Sequence, residues 1–130
     1  MFVGQLKQAI HGEYITYYTY KHILMLTDDP FFQSFIEHAM EDEKSHYEMF
    51  QQLYYMLTGQ FVQNPSKPNV NFGSLKEAAK HCLIEELESI ELYKEMLLSI
   101  PIAEAYNPLF IAMNDEIEHS IRFSTIYNAI

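Results

Sequence analysis

Apolar residues recur every three or four positions along four stretches of the chain, the spacing of one face of an α-helix. The first stripe reads Ile10, Glu13, Tyr17, Tyr20, Leu24, and the second Ile36, Ala39, Glu43, His46, Phe50, Leu53, Leu57. The third reads Leu83, Glu86, Ile90, Tyr93, Leu97, and the fourth Leu109, Ala112, Glu116, His119, Phe123, Ile126. Each stripe is interrupted near its middle by a glutamate. In the second and fourth, a histidine follows three residues later.

Punctuation between the stripes sets the expected boundaries. The first helix runs from about Phe2 to Leu26 and stops at Thr27-Asp28-Asp29-Pro30, where Asp29 can cap a second helix with Pro30 in its first turn. The second helix reaches about Leu57, with Gly59 as its stop. Residues 60–73 hold two prolines, three asparagines and a glycine and form the one long link. Ser74 and Glu77 make a capping box for the third helix, which Ser99-Ile100-Pro101 ends; Asn107 and Pro108 are expected to cap and start the fourth. A link of this length reaches roughly 45 Å when extended, and a helix of about 27 residues spans roughly 40 Å. The chain therefore reads as one domain, residues 1–130: an all-α four-helix bundle of two hairpins, whose single long crossover resembles that of ferritin-like folds.

A displacement of 73 positions aligns the two hairpins, about 2–58 and 74–129, without a gap. Glu13 then meets Glu86, Tyr20-Lys21 meets Tyr93-Lys94, Asp42-Glu43 meets Asp115-Glu116, His46 meets His119 and Phe50 meets Phe123. Such register across whole helical faces points to an internal repeat packed about a pseudo-twofold axis.

The repeat changes the meaning of the interrupted stripes. One glutamate beside an apolar face is ordinarily a solvated residue. Four at corresponding heights in a bundle would repel one another and lose their hydration. No buried cation in the sequence matches them, since Lys21 and Lys94 fall beside the stripes. Two divalent cations would neutralise four carboxylates, and two imidazoles would complete the shell. Carboxylate and imidazole ligands suit iron or manganese, and zinc can occupy the same cage.

The matching positions are Glu13, Glu43-Lys44-Ser45-His46, Glu86 and Glu116-Ile117-Glu118-His119. This set resembles the ferritin-like di-iron carboxylate proteins, rubrerythrin-like domains most closely, in which two helices each give a glutamate and two each give a Glu-x-x-His. The third helix reads Glu85-Glu86-Leu87-Glu88. The repeat selects Glu86, and Glu85 and Glu88 stand as alternates, because rubrerythrins use an additional glutamate there. Asp42 and Asp115 are candidates to orient the histidines across the bundle. The hydroxyls of Tyr20 and Tyr93 are candidates to bond ligand carboxylates and to relay protons. Tyr17 lies one turn from Glu13 and is a further pocket candidate, although its repeat counterpart is Ile90.

The resemblance implies two iron ions and an oxidoreductase that reduces hydrogen peroxide or dioxygen. Cys82 is the only cysteine, so the chain has no rubredoxin module and no internal disulfide; electrons would come from an external donor. Ferrous-ion oxidation for iron handling, and a structural di-metal site, are the alternatives. The net charge of −10 argues against nucleic acid as a partner. No stretch reads as a membrane span or a secretory signal, which points to a cytoplasmic protein. Pairing through an exposed helix face makes a homodimer the expected assembly. His11, His22, His38 and His81 lack the repeat and read as surface groups, and Cys82 as a small core residue.

Overall fold

Local signals start and stop the helices much as the sequence demands. In the computed structural model, which describes residues 1–130, these are α1 (Phe2–Leu24), α2 (Pro30–Thr58), α3 (Leu75–Leu97) and α4 (Tyr106–Ala129). The Asp29 carboxylate accepts the Phe31 N–H at 2.8 Å, ahead of Pro30 at the first helical position. Gly59 closes α2 at φ 77°, a left-handed conformation that a side chain would resist. Ser74 Oγ accepts the Glu77 N–H at 3.1 Å, and the Glu77 carboxylate accepts the Gly73 N–H at 2.9 Å.

Two boundaries differ from the sequence reading. Helix α1 ends at Leu24, because Met25 and Leu26 bond back three residues, to His22 and Ile23, and tighten the last turn. Helix α4 begins at Tyr106, so Asn107 does not cap it and Pro108 is its third residue. A 3-10 turn over Ala103–Ala105 leads straight into it and buries Ala105. Proline is tolerated there because the first-turn N–H groups have no intrahelical acceptor.

The four helices form a bundle in which α1 packs chiefly on α2 and α3 on α4. Two apolar clusters fill its ends. One joins the start of α1 (Phe2, Leu6, Ile10) and the end of α2 (Phe50, Leu53) to the end of α3 (Tyr93, Met96) and the start of α4 (Leu109). The other joins Tyr20, Ile36, Ala79, Cys82 and Phe123 from the opposite ends. Helices α1 and α4 therefore run one way, and α2 and α3 the other.

The connection between α2 and α3 passes from the first cluster, which includes Val62, to the second, against which Phe72 packs. A buried clamp anchors it: Gln51 Nε2 donates to the Val62 carbonyl and Gln51 Oε1 accepts the Val62 N–H, both at 2.8 Å. The six buried residues of α4, displaced by 73 positions, all fall on buried residues of α2. In α1 and α3 the buried pairs include Leu6, Ala9 and Ile23 and their counterparts Ala79, Cys82 and Met96. Ile10 is buried as expected, whereas Ile23, Cys82 and Met96 turn inward in place of the expected Leu24, Leu83 and Leu97. No helix is long and apolar enough to cross a membrane.

Candidate metal centre

Between the two apolar clusters lies a layer of charge. Glu13 of α1, Glu43 and His46 of α2, Glu86 of α3, and Glu116 and His119 of α4 all point into it, and none is more than 2 % exposed. Their helical positions explain this. Each occupies the core stripe of its helix, so the packing that buries Phe50 and Phe123 one turn away buries these groups too.

The six residues divide into two overlapping groups. Glu13, Glu43, His46 and Glu116 offer ligand atoms within 4.8 Å of one another, and so do Glu43, Glu86, Glu116 and His119. Glu43 and Glu116 belong to both. His46 Nδ1 lies 3.4 Å from Glu13 Oε2 and 3.3 Å from Glu116 Oε1. His119 Nδ1 lies 3.1 Å from Glu43 Oε1 and 3.6 Å from Glu86 Oε2.

The far nitrogens fix the rings. His46 Nε2 is 2.7 Å from Asp115 Oδ2, and His119 Nε2 is 2.8 Å from Asp42 Oδ2. Each aspartate is reached across the hairpins, from the helix that carries the other histidine. An Nε2–H donated to the aspartate leaves the Nδ1 lone pair facing the carboxylates, the tautomer that a metal ligand requires.

Inside the layer the partners run out. Glu13 Oε2, Glu43 Oε1, both oxygens of Glu86, Glu116 Oε1 and the Nδ1 atoms of His46 and His119 are buried without a hydrogen bond. Buried polar atoms are almost always paired, and here the unpaired ones converge from four helices. Among themselves the groups share charge unevenly. Burial, then the charges of Glu116 and Glu13, push the Glu43 carboxyl well above the usual carboxylate range. Burial and Glu116 do the same to Glu86. Burial works against charge on Glu116 as well, but contacts with Glu86, His46, His119 and Glu43 hold it down to about 2. Burial alone would lower both imidazoles. The Glu13 charge and the Asp115 contact raise His46 far above its ordinary value, and Asp42, Glu86 and Glu116 raise His119 to about 10. A layer that must hold protons to limit its own repulsion is chemically suited to divalent cations, which replace those protons. The residues thus fit a group of one or two metal ions.

The neighbouring groups are placed unequally. The Tyr93 hydroxyl donates to Glu13 Oε1. Tyr20 is fully buried beside Phe123, but its hydroxyl has no partner, so it makes no bond to a ligand carboxylate. Glu85 and Glu88 sit on the exposed face of α3, away from the layer that Glu86 enters. Of the remaining histidines, His38 lies 3.4 Å from Asp42, and His11 Nε2 lies 3.2 Å from the Gln63 carbonyl in the link. Cys82 is buried in the second cluster, where burial raises its thiol pKa.

Tyr17, the pocket candidate beside Glu13, does line a cavity, and three further tyrosines join it. A cavity of about 260 Å³ opens between α1 and α2, with Glu13 and Glu43 among its walls. Tyr14, Tyr17, Tyr18 and Tyr47 line it, with Lys44 and Glu48. The visible signal was the run of tyrosines at 14, 17 and 18, one side of a helix beside Glu13.

No protein-family model matches the chain, and no curated protein matches it. The fold is similar to the crystal structure of a conserved hypothetical protein, rv2844, from Mycobacterium tuberculosis. The TM-score is 0.80 at 15% sequence identity, over 98% of this chain and 90% of that one. At this identity the likeness is one of fold.

Proposed function

We propose that the chain is a ferritin-like di-iron oxidoreductase of rubrerythrin type, reducing hydrogen peroxide, or dioxygen, with electrons from an external donor. The observation that carries this reading is the pair of four-residue groups sharing Glu43 and Glu116. Two overlapping groups of hard oxygen and imidazole donors fit two ions held side by side better than one. The link that runs from the first apolar cluster to the second supports the ferritin-like arrangement.

Glu13 and His46 would hold one ion and Glu86 and His119 the other, with the two shared glutamates between them. Two iron ions so held would supply a two-electron redox couple and Lewis acidity toward a peroxide oxygen. The protein's own groups do the rest. Asp115 and Asp42 orient the imidazoles, the apolar clusters exclude water from both ends, and Tyr93 holds a proton at Glu13 Oε1.

Anaerobic titration with ferrous ion, followed by peroxide or oxygen, tests the proposal. The expected result is uptake of two ions per chain and oxidation faster with peroxide than with oxygen. Tight zinc binding without a redox response would contradict it. Preferential oxidation by oxygen, with release of ferric ion, would favour iron handling instead.

A further inference from the structure

The cavity between α1 and α2 departs from the repeat that governs the rest of the site. All six buried carboxylate and imidazole positions are kept between the hairpins, yet the cavity wall is not. Tyr14, Tyr17 and Tyr47 correspond to Leu87, Ile90 and Ser120, and Lys44 and Glu48 to Ile117 and Ile121. Tyr18, the fourth ring, corresponds to Glu91, so one side of the centre carries four aromatic rings where the other carries none and is mainly aliphatic. The rings form a connected wall, with Tyr14 and Tyr18 centroids 5.0 Å apart, Tyr17 and Tyr18 5.2 Å, and Tyr14 and Tyr47 6.0 Å.

We propose that this cavity binds a small, neutral, hydroxylated aromatic ring of the hydroquinone class, and that this molecule is the electron donor to the centre. The inference rests on the proposed oxidoreductase function. Three observations carry it. Aromatic walls favour a planar ring, which stacks or packs edge-on against them. The volume of about 260 Å³ suits one or two rings. The floor is Glu13 and Glu43, and the rim adds Glu48 against the single cation Lys44. With Lys44 as the only cation among its walls, the cavity gives a carboxylate ligand little to pair with and gives O–H donors several acceptors. A ring seated there lies against the centre itself, and a chain whose one cysteine is buried in an apolar cluster carries no thiolate-held donor of its own.

The chemistry balances. One hydroquinone loses two electrons and two protons and becomes the quinone. One hydrogen peroxide takes up both, its O–O bond breaks, and two waters form. Glu13 and Glu43, at the cavity floor, are placed to accept hydrogen bonds from the donor's hydroxyls.

The test begins with binding. Hydroquinone is titrated anaerobically into the metal-free protein, and the tyrosine ring signals are followed by NMR. The signals of Tyr14, Tyr17 and Tyr18 should shift, with benzoate binding weaker by about tenfold or more. The variant Tyr14→Leu/Tyr17→Ile, which installs the residues of the opposite hairpin, should weaken hydroquinone binding by about tenfold while keeping its metal stoichiometry. Unshifted ring signals in the unaltered protein, or equal binding of benzoate, would overturn the proposal. In the iron-loaded protein, hydroquinone should reduce the ferric centre and yield one quinone per peroxide consumed. Binding without reduction would overturn the donor role, even if peroxide oxidises the ferrous centre. Reduction by hydroquinone with no response to peroxide would uphold the donor site and contradict the peroxidase reading instead.

Discussion

The two hairpins of this bundle are alike where they face each other and unlike where they face outward. Their inner faces repeat at the carboxylates, the histidines, and the aromatic neighbours Phe50 and Phe123. Their outer grooves diverge, tyrosine and lysine on α1–α2 against leucine and isoleucine on α3–α4. Even the inner symmetry is incomplete, since Tyr93 bonds Glu13 whereas the Tyr20 hydroxyl is unpartnered. The difference separates two demands. Holding a symmetric charged layer fixes the same residues on both halves. Approach from outside needs only one side, and that side is free to change.

The largest expected effect falls on the shared pair. Glu43→Ala with Glu116→Ala should abolish binding of two ions, whereas Glu13→Ala should remove only the ion on the α1–α2 side. Metal analysis after dialysis distinguishes them, and retained stoichiometric binding in the double variant would break the comparison at its root.

Next come the two phenylalanines. Phe50→Ala and Phe123→Ala each empty a fully packed position, at opposite ends of the layer. Each should cost about 3–5 kcal/mol by urea unfolding of the metal-free protein. Matching costs would show that the inner symmetry is energetic as well as geometric, and widely different ones that it is not.

Asp115→Asn and Asp42→Asn should each lower metal affinity by roughly 10–100-fold with little change in fold, as read by competition with a chelator. A loss confined to one of the two would mark that histidine as the dominant ligand.

The smallest effect separates the hairpins again. Gln51→Ala strands the buried N–H and C=O of Val62 and should destabilise by about 1–3 kcal/mol. Its repeat counterpart, Ser124→Ala, should change stability by about 0.5 kcal/mol or less. Thermal unfolding of the two side by side checks this.

Much of the layer was legible in the sequence because buried carboxylates and imidazoles break an apolar stripe at fixed heights, and a repeat makes the breaks coincide. Glu86 could be selected over Glu85 and Glu88 by its register with Glu13, and it is Glu86 that is buried. Finer details depend on packing. Whether Leu24 or Ile23 goes inward is a matter of a fraction of a turn, and the spacing of apolar residues alone permits both. Asn107-Pro108 has the composition of a cap, but the preceding 3-10 turn leads into a helix that starts at Tyr106, two residues sooner. The Gln51 clamp joins a helix to a link eleven residues on, and no local pattern marks it. The tyrosine cavity was signalled by Tyr17 one turn from Glu13, but the departure from the repeat at Tyr17 and Ile90 reads at first as an argument against a role.

The central claim is that Glu43 and Glu116 are shared by two ions. Electron paramagnetic resonance of the manganese-loaded protein tests it most directly. At two manganese ions per chain, the account predicts a spectrum of exchange-coupled ions that reverts to an uncoupled signal in Glu43→Ala/Glu116→Ala. An uncoupled signal from the unaltered protein at full loading would contradict it.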